Sequence, residues 1–404
     1  MSRVCWDLPE QPVAGPVDSI GQEDMEPIYL DYNATTPLAG EVIEAMRPFL
    51  EGHFGNPSSR HAYGHRTRSA VATARRQVAD LLGATPGEIV FTGGGSEANN
   101  LALTGIARAR RSKRDHIVTS AVEHPAVLEV CRYLAANGWR VTRVPVDETG
   151  RVDPAEVAKA VTHRTALVSV MHANNEVGTI QPIKAIAEIA HRGGALMHTD
   201  AAQSVGKIWA RVRDLDVDLL SVAGHKLYGP KGVGALYIRR GTKIERLIHG
   251  ADHESGLRAG TENVLGLVGL GAACELAGRQ LDTRGEHTRR LRDLLYEGLS
   301  ERVPDTQRNG HPTECLPNTL SLSFRGLDAN TLLTEAPEIA ASAGAACHSG
   351  GTAISATLRA MGVPPIWARG TVRFSTGAQL TAPEVEHAIE VIAAAVEALR
   401  ARAR

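Results

Sequence analysis

The chain has 404 residues, of which 43% are hydrophobic and 22% charged, a composition that excludes a disordered chain and provides enough apolar side chains for a sizeable core. Its 44 Lys and Arg residues nearly balance its 45 Asp and Glu residues, and the net charge of -1 argues against a dedicated nucleic-acid or membrane-surface binder. No apolar run approaches the ~20 residues that span a bilayer, so we expect no membrane segment.

Residues 1–27 contain four prolines and little periodicity, and we predict a flexible extension there. Short apolar strands then alternate with helices, which predicts a parallel or mostly parallel sheet with helices on both faces. The predicted helices are 42–50, 70–82 and 182–192, and the predicted strands are 88–92, 116–120, 140–146, 166–171, 195–199 and 218–222.

The pattern changes past residue 280, where we predict a smaller α+β lobe. A charged helix is predicted at 288–299, strands at 320–324 and 371–375, and a closing amphipathic helix at 383–401. The basic run from Arg108 to Arg114 is interpreted as a solvated helix end, with a partner or RNA contact as the less favoured alternative.

The five cysteines are widely spaced and include no CxxC pair, so neither a zinc knuckle nor a dithiol motif is predicted. No HExxH motif occurs either, and we expect no metal site. An odd number of cysteines argues for a reducing compartment. The N-terminus lacks the apolar region of a signal peptide, and we therefore expect a cytoplasmic protein.

Polar segments follow several predicted strands, and ligands of open α/β sheets bind outside the carboxyl ends of the strands. We therefore expect these segments to converge on one site. In the first segment, residues 92–97, three glycines let the backbone approach an anion, and the next helix begins with free N–H groups. The alternative is a tight turn in which Ser96 caps the helix.

Three further segments carry reactive side chains. Asp200 follows a strand, where a carboxylate can keep a pyridinium nitrogen protonated, and Gln203 lies within reach of the same ring; the alternative is a helix cap. Lys226 directly follows an apolar strand, and desolvation there would lower its pKa and favour Schiff-base chemistry; the alternative is a surface lysine. Cys347 lies among small residues beside His348, which would favour an accessible thiolate; the alternative is a small buried cysteine in a tight turn.

In their order and spacing these segments resemble the cysteine desulfurase and selenocysteine lyase family, pyridoxal-phosphate enzymes of fold type I in the class V aminotransferase superfamily. The resemblance runs from about Ile28 to the C-terminus. It rests on LDYNATTP at 30–37, FGNPSS at 54–59, EH at 123–124, HANNE at 172–176, the Asp200 and Gln203 segment, GHKLYGP at 224–230, GTEN at 260–263 and the Cys347 loop.

The resemblance implies an α/β fold-type I PLP-transferase with a large, mostly parallel seven-stranded sheet domain and a smaller α+β C-terminal domain. It divides the chain into a flexible extension at 1–27, a segment at 28–40 that packs with the small domain, a large PLP-binding domain at 41–280, and a small domain at 281–404 with the catalytic Cys loop.

The resemblance also implies pyridoxal 5'-phosphate as the cofactor, bound as a Schiff base to Lys226. His124 is expected to stack on the pyridine ring and to act in acid–base steps, and Asp200 to pair with the pyridine nitrogen. The other implied cofactor contacts are Gln203 and Asn175 near the ring oxygen and substrate, Gly95, Ser96 and His225 at the phosphate, and Thr261 at the phosphate of the other subunit in a homodimer.

Arg373 matches the residue that binds the substrate carboxylate, for which a bidentate guanidinium is well suited. Asn33 is expected near the same carboxylate. Cys347 matches the catalytic cysteine, whose thiolate takes the substrate sulfur as a persulfide and passes it to an acceptor. The step from Cys347 to Arg359 matches the long-loop subgroup, which commonly hands sulfur to scaffold proteins such as iron–sulfur scaffolds. No direct nucleic-acid contact is expected.

Three departures from the family pattern keep alternatives open. Ala223 stands where many desulfurases have Ser, and Ala378 stands where the family has Arg. The string GAACHS around Cys347 is similar to animal selenocysteine lyases. We favour L-cysteine as the substrate, with L-selenocysteine as the alternative. An ordinary transaminase or other C–S lyase is less favoured because of Cys347 and its loop. A non-catalytic scaffold is less favoured because Lys226, His124, Asp200 and Cys347 are all present.

Overall fold

The computed structural model describes residues 26–343 and 354–402. Its helices are α1 (Gly40–Glu51), α2 (Ala62–Leu82), α3 (Gly95–Arg110), α4 (Pro125–Ala136), α5 (Pro154–Ala160), α6 (Ile183–Arg192), α7 (Val212–Leu215), α8 (Val264–Arg302), α9 (Ala329–Glu335), α10 (Ala356–Ala360), α11 (Pro365–Ala368) and α12 (Ala382–Arg402). Its strands are β1 (Ile28–Tyr29), β2 (Ile89–Thr92), β3 (His116–Ser120), β4 (Arg140–Val144), β5 (Thr165–Ser169), β6 (Leu196–Asp200), β7 (Leu219–Ala223), β8 (Gly234–Ile238), β9 (Thr306–Asn309), β10 (Thr319–Phe324), β11 (Ile339–Ala340) and β12 (Thr371–Ser375).

The large sheet has seven strands in the order β2-β8-β7-β6-β5-β3-β4. Strands β3 to β7 pair in parallel, and β8 is antiparallel to both of its neighbours, β7 and β2. The predicted α/β fold with a mostly parallel seven-stranded sheet is therefore confirmed. Because β8 is antiparallel to both β7 and β2, β2 runs in the same direction as β7. The carboxyl ends of all strands except β8 therefore lie along one side of the sheet. We call this side the carboxyl edge.

Strand β8 is absent from the sequence-based prediction. It begins at Gly234, where a side chain would collide with its neighbours: a Cβ there would lie 2.4 Å from the carbonyl oxygen of Val222. Glycine weakens the sequence signal of a strand, yet close approach to β7 requires glycine at this position.

Helices α2 and α8 begin well before their predicted first residues. Helix α2 begins at Ala62 because His61 caps it, its ring nitrogen accepting from the N–H of Gly64, and it ends at Gly83 in the left-handed conformation. Helix α8 contains the predicted helix 288–299 but begins at Val264. Its first turns are rich in glycine, which hides the helical pattern; a Cβ on Gly271 would lie 2.6 Å from Ala74 Cα of α2.

The boundary predicted between residues 280 and 281 falls inside α8, which runs from one apolar cluster to another. Its first half packs against α1 and α2, in the cluster below the large sheet, and its second half packs against α12. The second cluster also holds Leu30, Leu322 and Phe374, so residues just after β1 lie beside the three-stranded sheet β12-β10-β9.

By length and composition α8 could cross a membrane, but 56% of its most apolar stretch is buried inside the fold. Core helices pass the same test of length and composition. The apolar character of α8 is therefore accounted for by its packing between α1, α2 and α12.

Candidate active site

The carboxyl edge brings together most of the site residues that the sequence predicts. They lie in the turns that follow separate strands of the large sheet: Gly95 and Ser96 after β2, His124 after β3, Asn175 after β5, Asp200 and Gln203 at and after the end of β6, and His225 and Lys226 after β7. These strands are parallel, so turns that are distant in the sequence face the same space.

Lys226 ends the short turn that follows β7, and its amine points back toward the N-terminal segment. Its Nζ donates to the carbonyl oxygens of Asn33 and Ala34, at 2.6 and 2.7 Å. Burial, together with the nearby positive charge of Arg373, lowers the pKa of Lys226 to about 8, although Asp31 and Asp200 oppose the shift. The side chain is therefore an amine that titrates close to neutral pH, as its position after a buried strand predicts.

Asp200 is buried at the end of β6, and both of its carboxylate oxygens are held. One accepts from Asn99 Nδ2 at 2.7 Å, and the other accepts from the backbone N–H of Ala202 at 3.0 Å. Asn99 lies on α3, and no local sequence signal marks it, because its partner is 101 residues away. Two donors fix the orientation of the carboxylate at the edge.

The first turn of α3 is shaped to receive an anion. Gly94 precedes the helix at φ 136°, a conformation that side chains disfavour. The next residue, Gly95, packs against Ala223: a Cβ on Gly95 would lie 3.2 Å from the Ala223 methyl group. Ser96 is exposed there, and the free N–H groups of a 16-residue helix point outward beside it. A hydroxyl at position 223 would have faced the same space.

His124 caps helix α4 at the end of the β3 turn. Its Nδ1 accepts from the N–H of Ala126 at 3.1 Å, and the residue is exposed on the edge. The preceding residue, Glu123, is buried and locks the turn in place. Ser120 Oγ donates to Glu123 at 2.5 Å, and the N–H of Met171 donates to it at 2.9 Å.

Burial raises the pKa of Glu123 to about 8. The carboxyl group is therefore largely protonated at neutral pH. Glu123 belongs to the EH motif at 123–124, which by itself indicates no role for this carboxyl group; in the structure Glu123 ties the β3 turn, with His124, to the end of β5.

His225 precedes Lys226, and its Nδ1 lies 3.2 Å from Thr35 Oγ1. Burial and the positive charges of Lys226 and Lys231 lower the pKa of His225 to about 4, so the ring is neutral at neutral pH. A neutral imidazole can still donate one hydrogen bond to an anion. Its predicted role at the phosphate stays a prediction.

Asn33 and Gln203 meet directly, below Lys226. The Gln203 amide nitrogen donates to the Asn33 carbonyl oxygen at 3.0 Å. The Asn33 side chain is fully buried and already engaged: its Nδ2 donates to Thr319 Oγ1, and its Oδ1 accepts from Asn318. A direct substrate contact by Asn33 stays a prediction, and the structure gives it a scaffolding position.

Arg373 comes from β12 of the small sheet and reaches the edge. One amino group forms an ion pair of 2.6 Å with Asp31, and the other donates to the Asn175 carbonyl oxygen at 3.1 Å. Its Nε is buried and has no hydrogen-bond partner among the described residues. This spare donor is compatible with binding a carboxylate, and the predicted role of Arg373 stays a prediction.

The predicted site residues also include Thr261 and Cys347. Thr261 is exposed in the loop before α8, and within the described ranges no hydrogen bond connects it to the edge residues. Its neighbour Glu262 lines a cavity of about 520 Å³ that Ser58 and His253 also line. Cys347 lies outside the described residues.

The Ala378 departure has a structural counterpart on α8. The N–H of Ala378 donates to the Tyr228 hydroxyl at 2.8 Å, and the guanidinium of Arg284 stacks over the Tyr228 ring at 4.8 Å. An arginine side chain is thus present in this neighbourhood, supplied by α8 instead of position 378.

Arginines of the basic run 108–114 bind backbone groups of other elements. Arg110, Arg111 and Arg114 donate to backbone carbonyl oxygens of neighbouring turns. These contacts satisfy groups that end helices and strands, which fits the interpretation of a helix end.

The described part of the chain contains no group of three or more His, Cys, Asp or Glu side chains arranged to hold a metal ion. His172 and His198 are buried beside hydroxyl groups, with His172 Nδ1 2.8 Å from Ser204 Oγ and His198 Nδ1 2.8 Å from Ser169 Oγ. Burial lowers the pKa of both rings to about 4, so they are neutral core residues.

The residues on the edge fit a pyridoxal phosphate group in their chemistry. The aldehyde of that cofactor requires an amine of lowered pKa, and its ring nitrogen requires a fixed carboxylate, here held by two donors. An exposed imidazole suits the ring face, and a glycine-lined helix start suits the phosphate.

Comparison with known proteins gives concordant matches. The family described as Aminotransferase class-V matches residues 28–387. A cysteine desulfurase IscS of Dictyoglomus turgidum is 46% identical over 375 residues, covering 92% of this chain and 95% of the relative.

Two solved structures extend this result. A NifS-like protein superposes with a TM-score of 0.87 at 38% identity, covering 92% of this chain and 99% of the other. A structure of SspA in complex with cysteine has a TM-score of 0.78 at 36% identity, covering 87% of this chain and 99% of the other. These matches agree with the resemblance that the sequence motifs carry.

Proposed function

This chain belongs to the class-V aminotransferase family and, within it, to the cysteine desulfurases, and we propose on that basis that it removes sulfur from L-cysteine with pyridoxal 5'-phosphate as cofactor. The products are L-alanine and a persulfide on Cys347. The observation that carries the proposal is the amine of Lys226, with a pKa of about 8, on the same edge as the fixed carboxylate of Asp200.

The residues that would hold the cofactor are those of the carboxyl edge. Lys226 would bind its aldehyde carbon, Asp200 its ring nitrogen, and His124 its ring face, while Gln203 and Asn175 would lie near the ring oxygen. The phosphate would lie at Gly95, Ser96 and His225. When bound, pyridoxal phosphate supplies an electron sink for negative charge at the substrate Cα.

Lys226 is suited to move a proton at the substrate Cα. A catalytic base works best when its pKa lies near the working pH, and burial brings the pKa of Lys226 to about 8. The Asn33 and Ala34 carbonyl oxygens keep the amine at a fixed position while it is free of other bonds. His124, exposed on the neighbouring turn, is the second candidate for acid–base steps.

Arg373 would bind the substrate carboxylate. Its buried Nε lacks a partner within the described ranges, and its ion pair with Asp31 keeps the guanidinium in place before substrate arrives. Asn175, whose carbonyl oxygen accepts from Arg373, would lie beside the bound amino acid.

The sulfur step uses Cys347. Its thiolate attacks the substrate sulfur; a new S–S bond forms as the bond between that sulfur and the substrate Cβ breaks, and Cβ takes up a proton to give alanine. The persulfide then passes its outer sulfur to an acceptor protein, for which we propose an iron–sulfur scaffold because relatives named IscS are similar over most of the chain.

We also propose that the enzyme works in the cytoplasm as a homodimer. The exposed position of Thr261 supports a contact with the phosphate site of a second copy.

Parallel assays of L-cysteine and L-selenocysteine with the purified holoenzyme test the proposal, following alanine together with sulfide or selenide. We expect turnover of L-cysteine that Cys347→Ala abolishes and that Cys315→Ala, a control at a half-buried cysteine, leaves intact. Turnover of L-selenocysteine alone would overturn the choice of substrate and assign Ala223 to selenium specificity. Cysteine turnover that survives Cys347→Ala would refute the persulfide step.

A further inference from the structure

A second lysine lies beside Lys226 at the carboxyl edge, and no part of the proposed function uses it. Lys207 follows the β6 turn and lines a cavity of about 20 Å³ together with Lys226, Tyr228 and Arg284. A cavity of this size holds about one water molecule. Lys207 therefore borders the space directly behind the amine of Lys226.

The amine of Lys207 has two short, specific partners. Its Nζ donates to Asn33 Oδ1 and to Gln203 Oε1, each at 2.7 Å. Within the described ranges no carboxylate forms an ion pair with it. An ordinary surface lysine would point its charge into water, whereas Lys207 donates hydrogen bonds to two neutral amides.

The hydrogen bonds of Lys207 hold both amides in one orientation. The amine donates both bonds, and each amide therefore has its oxygen atom turned toward Lys207. The nitrogen of Gln203 then faces the Asn33 carbonyl oxygen, to which it donates at 3.0 Å. That same carbonyl oxygen accepts from Lys226 Nζ at 2.6 Å. A continuous chain of hydrogen bonds thus joins Lys207 to Lys226 through Asn33 and Gln203.

We propose that Lys207 is a positioning residue that orients the Asn33 and Gln203 amides and thereby sets the place of Lys226 Nζ at the carboxyl edge. The inference rests on the proposed function, because it assigns Lys207 to the same reaction. Lys207 touches no reacting atom and acts through its two amide partners.

The electrostatic setting is consistent with this role. Burial and the positive charges of Lys226 and Arg373 lower the pKa of Lys207 well below its usual range. The acidic groups at this edge, Asp31 and Asp200, act on Lys226, and Asp31 is paired with Arg373. A neutral amine still carries two hydrogens, enough for both amide oxygens, so Lys207 keeps both bonds in either protonation state.

The experiment compares Lys207→Met, which keeps an unbranched side chain of nearly the same length but removes both hydrogen bonds, with Lys184→Met at an exposed position of α6. We expect kcat for L-cysteine to fall about ten- to a hundredfold in the first variant, since misplacing a reacting group costs that much, and KM to change by less. The visible absorbance of bound cofactor should be retained. The control variant should match the wild type.

A second variant tests whether the amine of Lys207 is required, or only the volume of its side chain. Lys207→Ala leaves a gap that ethylamine can enter, and we expect added ethylamine to restore part of the lost kcat in a saturable way. Trimethylamine, which is too bulky, should not restore it at the same ionic strength.

Unchanged kcat in Lys207→Met would overturn the inference, as would a loss that ethylamine leaves unrestored while the variant is folded and retains cofactor. Neither result touches the proposed function, which fails only if the wild-type enzyme itself yields no alanine from L-cysteine.

Discussion

The carboxyl edge of the large sheet and the three-stranded sheet β12-β10-β9 use polar residues in opposite ways. At the edge, Asp200, Lys226 and His124 follow separate strands and face a common space. In the small sheet the polar side chains pair with one another: Asn309 Nδ2 donates to Ser323 Oγ at 2.8 Å, and Ser323 lies 2.7 Å from Thr371.

The other face of the small sheet is apolar. Leu320, Leu322, Val372 and Phe374 alternate with those polar residues along β10 and β12 and enter the cluster formed with α8, α9 and α12. From its polar face, the small sheet contributes one charged side chain to the site: Arg373, which forms an ion pair with Asp31. The reactive side chains lie where strands of the large sheet end, whereas the apolar side chains that stabilise the small sheet alternate along its strands. Mutations at the edge should therefore change activity, and mutations in the small sheet should change stability.

The largest effect on activity is expected from Lys226→Ala. Removing the amine should lower turnover of L-cysteine by at least about a thousandfold, since it is proposed both to hold the cofactor and to move the proton. The free energy of unfolding of the cofactor-free protein should stay the same or rise, because the folded state disfavours the protonated form of an amine whose pKa is lowered to about 8. Turnover assays and urea unfolding measure the two quantities, with Lys184→Ala as the control. Marked destabilisation of Lys226→Ala would break the separation.

The opposite result is expected from Phe374→Ala in the small sheet. Phe374 is 1% exposed, and its loss leaves a cavity, so we expect the free energy of unfolding to fall by about 3–5 kcal/mol. The folded fraction should keep most of its kcat. Urea unfolding monitors the change, with Ile366→Ala as a control at a 51% exposed position that should lose less than about 1 kcal/mol. A loss of kcat comparable to that of Lys226→Ala would show that the two regions are not separable.

A smaller, pH-dependent effect is expected at Glu123, on the edge itself. Its pKa is raised from 4.5 to about 8, so between these values the folded state holds a proton that the unfolded state has released. Stability must then fall as pH rises through this range, by at most about 1.4 kcal/mol per pH unit.

Glu123→Gln carries no titrating group and should lose this slope. Unfolding free energies of both proteins, measured from about pH 5 to pH 8, give the difference, in which the contributions of the buried histidines cancel. Parallel curves for the two proteins would contradict the raised pKa.

The accuracy of the sequence-based predictions follows how local each signal is. Strands β3 and β12 have their predicted bounds because apolar residues alternate or run together over five positions. Strand β8 and the first half of α8 were missed because their glycines are required by close contacts with other elements, at Val222 of β7 and Ala74 of α2, which local sequence patterns do not show.

The site divides in the same way. Lys226, Asp200 and His124 could be identified because each follows a strand within a recognisable motif. Asn99 and Lys207 could not, because their partners Asp200 and Asn33 are 101 and 174 residues away.

By itself, the sequence determined the alternation of strands and helices, the family resemblance and the reactive side chains, since periodicity and motifs are properties of neighbouring residues. Only the tertiary structure decided which turns meet at the carboxyl edge and how far burial moves the pKa of Lys226 and Glu123. It also decided that the amine of Lys207 donates to the amide of Asn33. The physical reason is that hydrogen bonding and desolvation depend on distance in space, which the parallel sheet sets by bringing remote strand ends together.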